Sequence, residues 1–119
     1  MDIHVFATDL EMTDELRSYV EQKVGDVRRA FGDMDLTSVT IDVEVARTTR
    51  HHRKGDKLYR AEATVRLPRQ RLRVEEYDAT PKTAVSKLKQ SLSREIRTWR
   101  ERLADLRRKG ARRATDNAE

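Results

Sequence analysis

The sequence predicts an α+β domain of order β-α-β-β-β-α, a four-stranded sheet with two helices packed on one face. Three observations carry that prediction. Four segments alternate apolar and polar residues with period two, as half-buried strands do. Two segments space their apolar residues by three and four, as amphipathic helices do. In 119 residues there is no internal repeat and no linker, so one core is expected.

The first strand is read over residues 1–7, where Ile3, Val5 and Ala7 alternate with His4 and Phe6. Thr13 is an N-cap candidate, with Asp14 and Glu15 in the first turn, where the helix dipole favours acids. Met12 and Leu16 flank that cap as a hydrophobic staple. Leu16, Tyr19, Val20, Val24, Val27 and Phe31 extend the helix to near Gly32, with Gly25 weakening it without breaking it. Val39, Ile41, Val43 and Val45 form the second strand, and the stretch from Arg47 to Lys57 is a loop. Leu58 to Leu67 alternates again, Pro68 ends it, and Leu72 with Val74 begin a fourth strand after a tight turn.

Thr80 can cap the last helix with Pro81 at its first position. Val85, Leu88, Leu92, Ile96, Trp99, Leu103 and Leu106 then mark one face through Lys109. The domain is therefore expected over 1–109, with residues 110–119 a disordered polar tail. The crossover through the first helix should leave strands one and two parallel, and the later strands antiparallel.

Composition excludes several functions. No cysteine is present, so disulfides, iron–sulfur clusters and thiolate zinc sites are out. The N-terminus shows no signal-peptide pattern, and no apolar run approaches the ~20 residues of a membrane span, so a cytoplasmic protein without membrane partners is expected. No Gly-rich phosphate loop, nucleophile elbow or acid pair at catalytic spacing appears, so no enzyme, cofactor, metal or small-molecule substrate is expected. His51 and His52 sit in a basic loop, where a plain exposed loop outweighs a metal site. Arg60, Arg66, Arg71 and Arg73 should pair with Asp42, Glu44, Glu62 and Glu75 across the wet sheet face. That face lacks the central aromatics of a base-stacking sheet.

Charge is polarised along the chain. Residues 1–46 hold 4 Lys/Arg against 11 Asp/Glu, a net of −7; the remainder hold 22 against 10, a net of +12. Between Lys82 and Arg113 stand 12 basic residues, offset only by Glu95, Glu101 and Asp105. Lys82, Lys89, Arg100 and Arg107 fall on one flank of the apolar stripe, and Lys87, Arg94, Arg97 and Arg108 on the outward face. From Thr80 to Lys109 the helix would run ~45 Å, beyond a sheet of ~17–20 Å. A stiff rod of cations outrunning its support suits a polyphosphate, and arginine adds forked phosphate pairing and base stacking. A solvated helix laced by i,i+4 pairs is the plain alternative, but acids are too few for it.

The opening Met1-Asp2-Ile3-His4-Val5 and the run from Leu10 to Val20, LEMTDELRSYV, resemble the start of the short ribosome hibernation-promoting factors and ribosome-associated inhibitor A. Tyr59 to Val65 is similar to their third strand, and Thr83 to Leu88 with the basic helix after it to their second helix. The resemblance runs from Met1 to about Arg102. It implies binding to the small (30S) ribosomal subunit and its 16S-type rRNA over the decoding centre. There the protein would block mRNA and tRNA, a part in ribosome hibernation, translation regulation and the stress response.

The family contacts rRNA through basic residues of both helices. Matching positions are Arg17, Lys23 and Arg29 on the first and Arg94 on the second. With Arg28 beside Arg29, the candidate rRNA-binding set is Arg17, Lys23, Arg28, Arg29, Lys82, Lys87, Lys89, Arg94, Arg97, Arg100 and Arg107. Asp26 stands where a family lysine is common, and Thr80-Pro81-Lys82 replaces the usual opening of the second helix. Two other readings stay open. One is a double-stranded-RNA-binding module, whose fold is related. The other is a protein-interaction domain using the near-heptad Leu92, Ile96, Trp99, Leu103 and Leu106.

Overall fold

The computed structural model describes residues 1–48 and 58–117, with side chains through residue 111. Its elements are β1 (Asp2–Thr8), α1 (Asp14–Gly25), α2 (Arg28–Phe31), β2 (Thr40–Arg47), β3 (Tyr59–Leu67), β4 (Gln70–Asp78) and α3 (Pro81–Asn117). The sheet order is β1-β2-β3-β4, with β1 parallel to β2 and both later pairs antiparallel, so the α+β class and the strand pairing are as expected. Among the described residues, no helix is long and apolar enough to cross a membrane.

Alternation decides the two faces. Ile41, Val43 and Val45 on β2 and Ala61, Ala63, Val65 and Leu67 on β3 are buried. Onto them pack Leu16, Val20 and Val24 of α1, Phe31 of α2, and Val85, Leu88, Leu92 and Ile96 of α3. The small alanines of β3 leave room for the larger residues of α3. Both predicted caps form: the Leu16 N–H donates to Thr13 Oγ1 and the Thr83 N–H to Thr80 Oγ1, each at 3.1 Å. They satisfy helix-start donors that otherwise need water.

Two helix boundaries differ from expectation. Periodicity predicts one helix to Gly32, whereas α1 stops at Gly25 and a separate turn, α2, follows. Through this joint the hydrogen bonds tighten to i→i−3, from the Val27 N–H to Val24 O and from the Ala30 N–H to Val27 O. Glycine is a poor helix former, by ~1 kcal/mol against alanine. The tightened turn also brings Val27, Ala30 and Phe31 into the core together. At the other end, α3 does not stop at Lys109 but continues to Asn117. Gly110 costs only about 1 kcal/mol there, and the alanines and arginines after it are strong helix formers.

Strands β3 and β4 have nine residues each, about 30 Å, longer than the typical strand assumed from sequence. Still, the 37 residues of α3 span ~55 Å. Ile96 is fully buried, Trp99 and Leu103 half-buried, and Leu106 is 65% exposed, so support ends near Leu103. The molecule measures 65 × 30 × 19 Å, and its long axis reflects the overhanging helix.

Candidate nucleic-acid interface

Lys82, Lys89 and Arg100 lie 7 and 11 residues apart in turn, nearly whole numbers of helical turns, so α3 presents them on one flank. In the fold that flank faces α1 and α2, and each cation meets a defined group. Lys82 Nζ lies 2.7 Å from Glu15 Oε1 and 5.5 Å from the centre of the Tyr19 ring. Lys23 Nζ approaches the same ring at 5.6 Å, which places two ammonium groups in cation–π range of one aromatic. Two turns further, Lys89 Nζ lies 3.3 Å from Asp26 Oδ2. The Arg100 guanidinium then lies over Gly32, where a Cβ would come within 2.5 Å of Nη1. Gly32 also holds a φ of +65°, so the backbone favours glycine there, and any side chain would have to push the Arg100 guanidinium aside.

Electrostatics follow from these contacts. The hydrogen bond from Lys82, and then its charge, hold the Glu15 carboxyl below its ordinary pKa. Reciprocally, Glu15 raises Lys82. On the other side of α3, Lys87 Nζ lies 2.6 Å from Asp78 Oδ2. Its hydrogen bond, seconded by the Ala79 N–H, lowers the Asp78 pKa.

The remaining predicted residues separate into four situations. Arg17 donates from Nη1 to the carbonyl of Val5 at 3.0 Å, satisfying a backbone acceptor on the edge strand β1 while the side chain stays exposed. Arg28, Arg29 and Arg97 are exposed and make no ion pair among the described residues. Arg94 donates to Ser91 Oγ at 3.3 Å, and that hydroxyl donates to Glu76. Arg107 lies farthest out, lining a groove with Trp99, Leu103, Phe31 and the β3–β4 turn at Pro68 and Arg69.

The eleven predicted residues therefore do not form one patch. Lys23, Lys82, Lys89 and Arg100 gather along the seam between α1/α2 and α3. Lys87, Arg94 and Arg97 belong to the outward side, and Arg107 to the overhang. Local sequence pattern does not show that Glu15, Tyr19, Asp26 and Gly32 organise the seam. The candidate set does not include the exposed Arg102 and Lys109, nor Arg108, which helical spacing puts on the outward face. Their position on the same basic helix was the signal that could have included them. Arg108 pairs with Asp105 one turn away. The His51/His52 loop lies outside the described residues.

The wet face of the sheet is organised differently. Register places Glu44, Glu62 and Glu75 abreast on three strands, an arrangement that would repel by itself. Arg60 reaches all three, pairing with Glu44, with Glu62 at 3.0 Å and with Glu75 at 3.8 Å. Arg73 adds a second bond to Glu62, and Arg66 Nε binds Asp42 at 2.8 Å. Cross-strand pairing thus holds for three of the four predicted arginines. Arg71 makes no ion pair among the described residues. Trp99, expected on the apolar stripe, is half-buried and packs edge-to-face on Phe31 with ring centres 6.3 Å apart.

Comparison with known proteins adds a family to this geometry. The model of the family described as sigma 54 modulation protein / S30EA ribosomal protein matches residues 3–104. The ribosome hibernation promotion factor of Deinococcus radiodurans is 28% identical over 102 residues, covering 86% of this chain and 50% of that protein. The chain thus spans about half the length of the curated relative it matches. The N-terminal domain of Thermus thermophilus Protein Y superposes with a TM-score of 0.64 at 29% identity, covering 83% of this chain and 99% of that one. A ribosomal subunit interface protein from Coxiella burnetii gives the same TM-score at 14% identity, covering 85% and 99%, a likeness of fold alone. The chain belongs to the ribosome hibernation factor family, that of the sigma 54 modulation and S30EA ribosomal proteins.

Proposed function

We propose that the protein is a ribosome hibernation factor that binds the small ribosomal subunit through its 16S-type rRNA at the decoding region. It acts there without catalysis, by occupying the path of mRNA and tRNA. The binding unit is the whole domain of residues 1–109, working in the cytoplasm where ribosomes are. The contact is made by the seam of α1/α2 with α3 and by the outward and overhanging cations of α3. Family membership supports this reading, as does the chemistry of α3. The single observation that carries it is a basic helix longer than its sheet, with Arg97 and Arg107 exposed and outside any ion pair among the described residues. Such cations neutralise RNA phosphates and release counterions without first breaking an internal bond.

The test is co-sedimentation of the purified protein with small ribosomal subunits, and inhibition of translation in vitro. The variant R94E/R97E/R107E, which leaves the core and both caps untouched, should lose roughly 100-fold or more in affinity at low salt. Retention of binding by a folded triple variant would overturn the reading.

One observation favours a second reading. Leu106 is 65% exposed beside grooves lined by Trp99 and Leu103, a surface open to a partner helix. Salt separates the two, because RNA binding weakens steeply as salt rises and an apolar interface does not.

A further inference from the structure

Half of the cations along the seam are already occupied. Glu15 holds Lys82 at 2.7 Å and Asp26 holds Lys89 at 3.3 Å, both carboxylates reaching across from the first helical segment to α3. Neither pair is buried: the side chains of Lys82 and Lys89 are 49% and 33% exposed, and those of Glu15 and Asp26 are 78% and 42% exposed. A phosphate oxygen can therefore approach either ammonium group from solvent and take the place of the carboxylate. The two lysines are seven residues apart on one flank, about 10 Å along the helix. Displacing both carboxylates together requires a ligand with several phosphates at fixed spacing, which a folded RNA has and a lone anion lacks.

We propose that Glu15 and Asp26 are built-in competitors for RNA phosphate, which hold Lys82 and Lys89 in internal pairs and so set the affinity and salt dependence of the seam. The inference rests on the small-subunit reading above and goes beyond it by assigning a part to two acidic residues. The physical reason is simple. A lysine already neutralised by a carboxylate presents little net charge, so its contact with RNA releases fewer counterions than a free lysine would. Glu21, exposed on α1 and without an ion pair among the described residues, carries the same charge but holds no lysine.

The experiment measures Kd of the full chain for purified small ribosomal subunits and for a short RNA duplex across a salt series. The proteins compared are the parent, E15Q/D26N and E21Q. For E15Q/D26N we expect binding roughly fivefold or more tighter at low salt, and a log Kd against log salt slope steeper by up to about 1.8, about 0.9 for each released lysine. E21Q should keep the parental slope. Exposed pairs of this kind contribute little to folding, so the variants should melt as the parent does. Should the double variant melt early, the single variants E15Q and D26N carry the test, each with a slope steeper by about 0.9. Parental slope and affinity in the released variants would overturn the competition while leaving the functional reading intact, and so would an equal gain in E21Q. Failure of the parent itself to bind either RNA would remove the functional reading, and this inference with it.

Discussion

The wet face of the sheet and the long helix α3 are both crowded with arginine, yet they are opposite kinds of surface. On the sheet, three carboxylates stand abreast at Glu44, Glu62 and Glu75, and Arg60 ties them together from the next row. Those cations serve the fold. On α3, Arg97 and Arg107 meet no carboxylate among the described residues, and the seam lysines meet one each. Those cations remain available to an outside anion, wholly or by exchange. The lesson is that the number of basic residues says little; the position of the counter-charge decides whether a basic surface stabilises a protein or binds a partner.

The contrast can be broken most directly by neutralising one surface at a time. R97Q/R107Q on α3 should cost roughly tenfold or more in affinity for small ribosomal subunits at low salt, with an unchanged melting temperature. R60Q on the sheet should do the reverse. It leaves three carboxylates abreast without their common partner and should cost about 1 kcal/mol of stability, measured by urea denaturation, while binding shifts less than threefold. If R60Q weakened binding as strongly as R97Q/R107Q, the division of the two surfaces would be wrong.

A sharper probe lies where structure and charge meet. G32A forces a side chain onto a backbone with φ of +65° and into the Arg100 guanidinium. It should lose about 1–3 kcal/mol of stability from the backbone alone. If Arg100 is held in place for RNA, G32A should also weaken binding more than R60Q does at matched stability.

The smallest effect is one of pH. The Asp78 carboxyl is held below its ordinary pKa, first by its hydrogen bond from Lys87 and then by the Ala79 N–H. A carboxylate with a lowered folded pKa stabilises the fold fully above its unfolded pKa, and loses that contribution as pH falls through the folded value. Melting temperature should therefore decline below about pH 4, and D78N should flatten that decline slightly. An unaltered acid limb in D78N would show that the pair adds nothing to stability.

Much of the fold was legible because its determinants are local. Thr13 and Thr80 announce their helices by residue type and by the acids or proline that follow, and both form the expected bonds. Strand alternation reads directly as one buried and one wet face. The misread boundaries have local weaknesses in common. At Gly25 the helical spacing continues through Val27 and Phe31 although the hydrogen bonds tighten, because a tighter turn can present the same apolar residues to the core. At Gly110 one weak residue looks like a stop, but the residues beyond it favour helix and α3 runs through it. The candidate site was legible in kind and less so in arrangement. Residue types and helical periodicity put the cations on α3, but Lys82 meets Glu15 67 residues away, and no local pattern signals that partnership.

The order of elements, the buried faces and the polarised charge follow from the sequence alone, because propensity, capping and periodicity act between residues a few positions apart. Which cations are held and which are available was decided only by the tertiary structure. Packing α1 and α2 beside α3 brings Glu15, Asp26 and Gly32 against Lys82, Lys89 and Arg100, and strand register sets Arg60 among its three carboxylates. Ion pairing depends on separations of a few ångströms in space, and the fold sets those separations between residues remote in the chain.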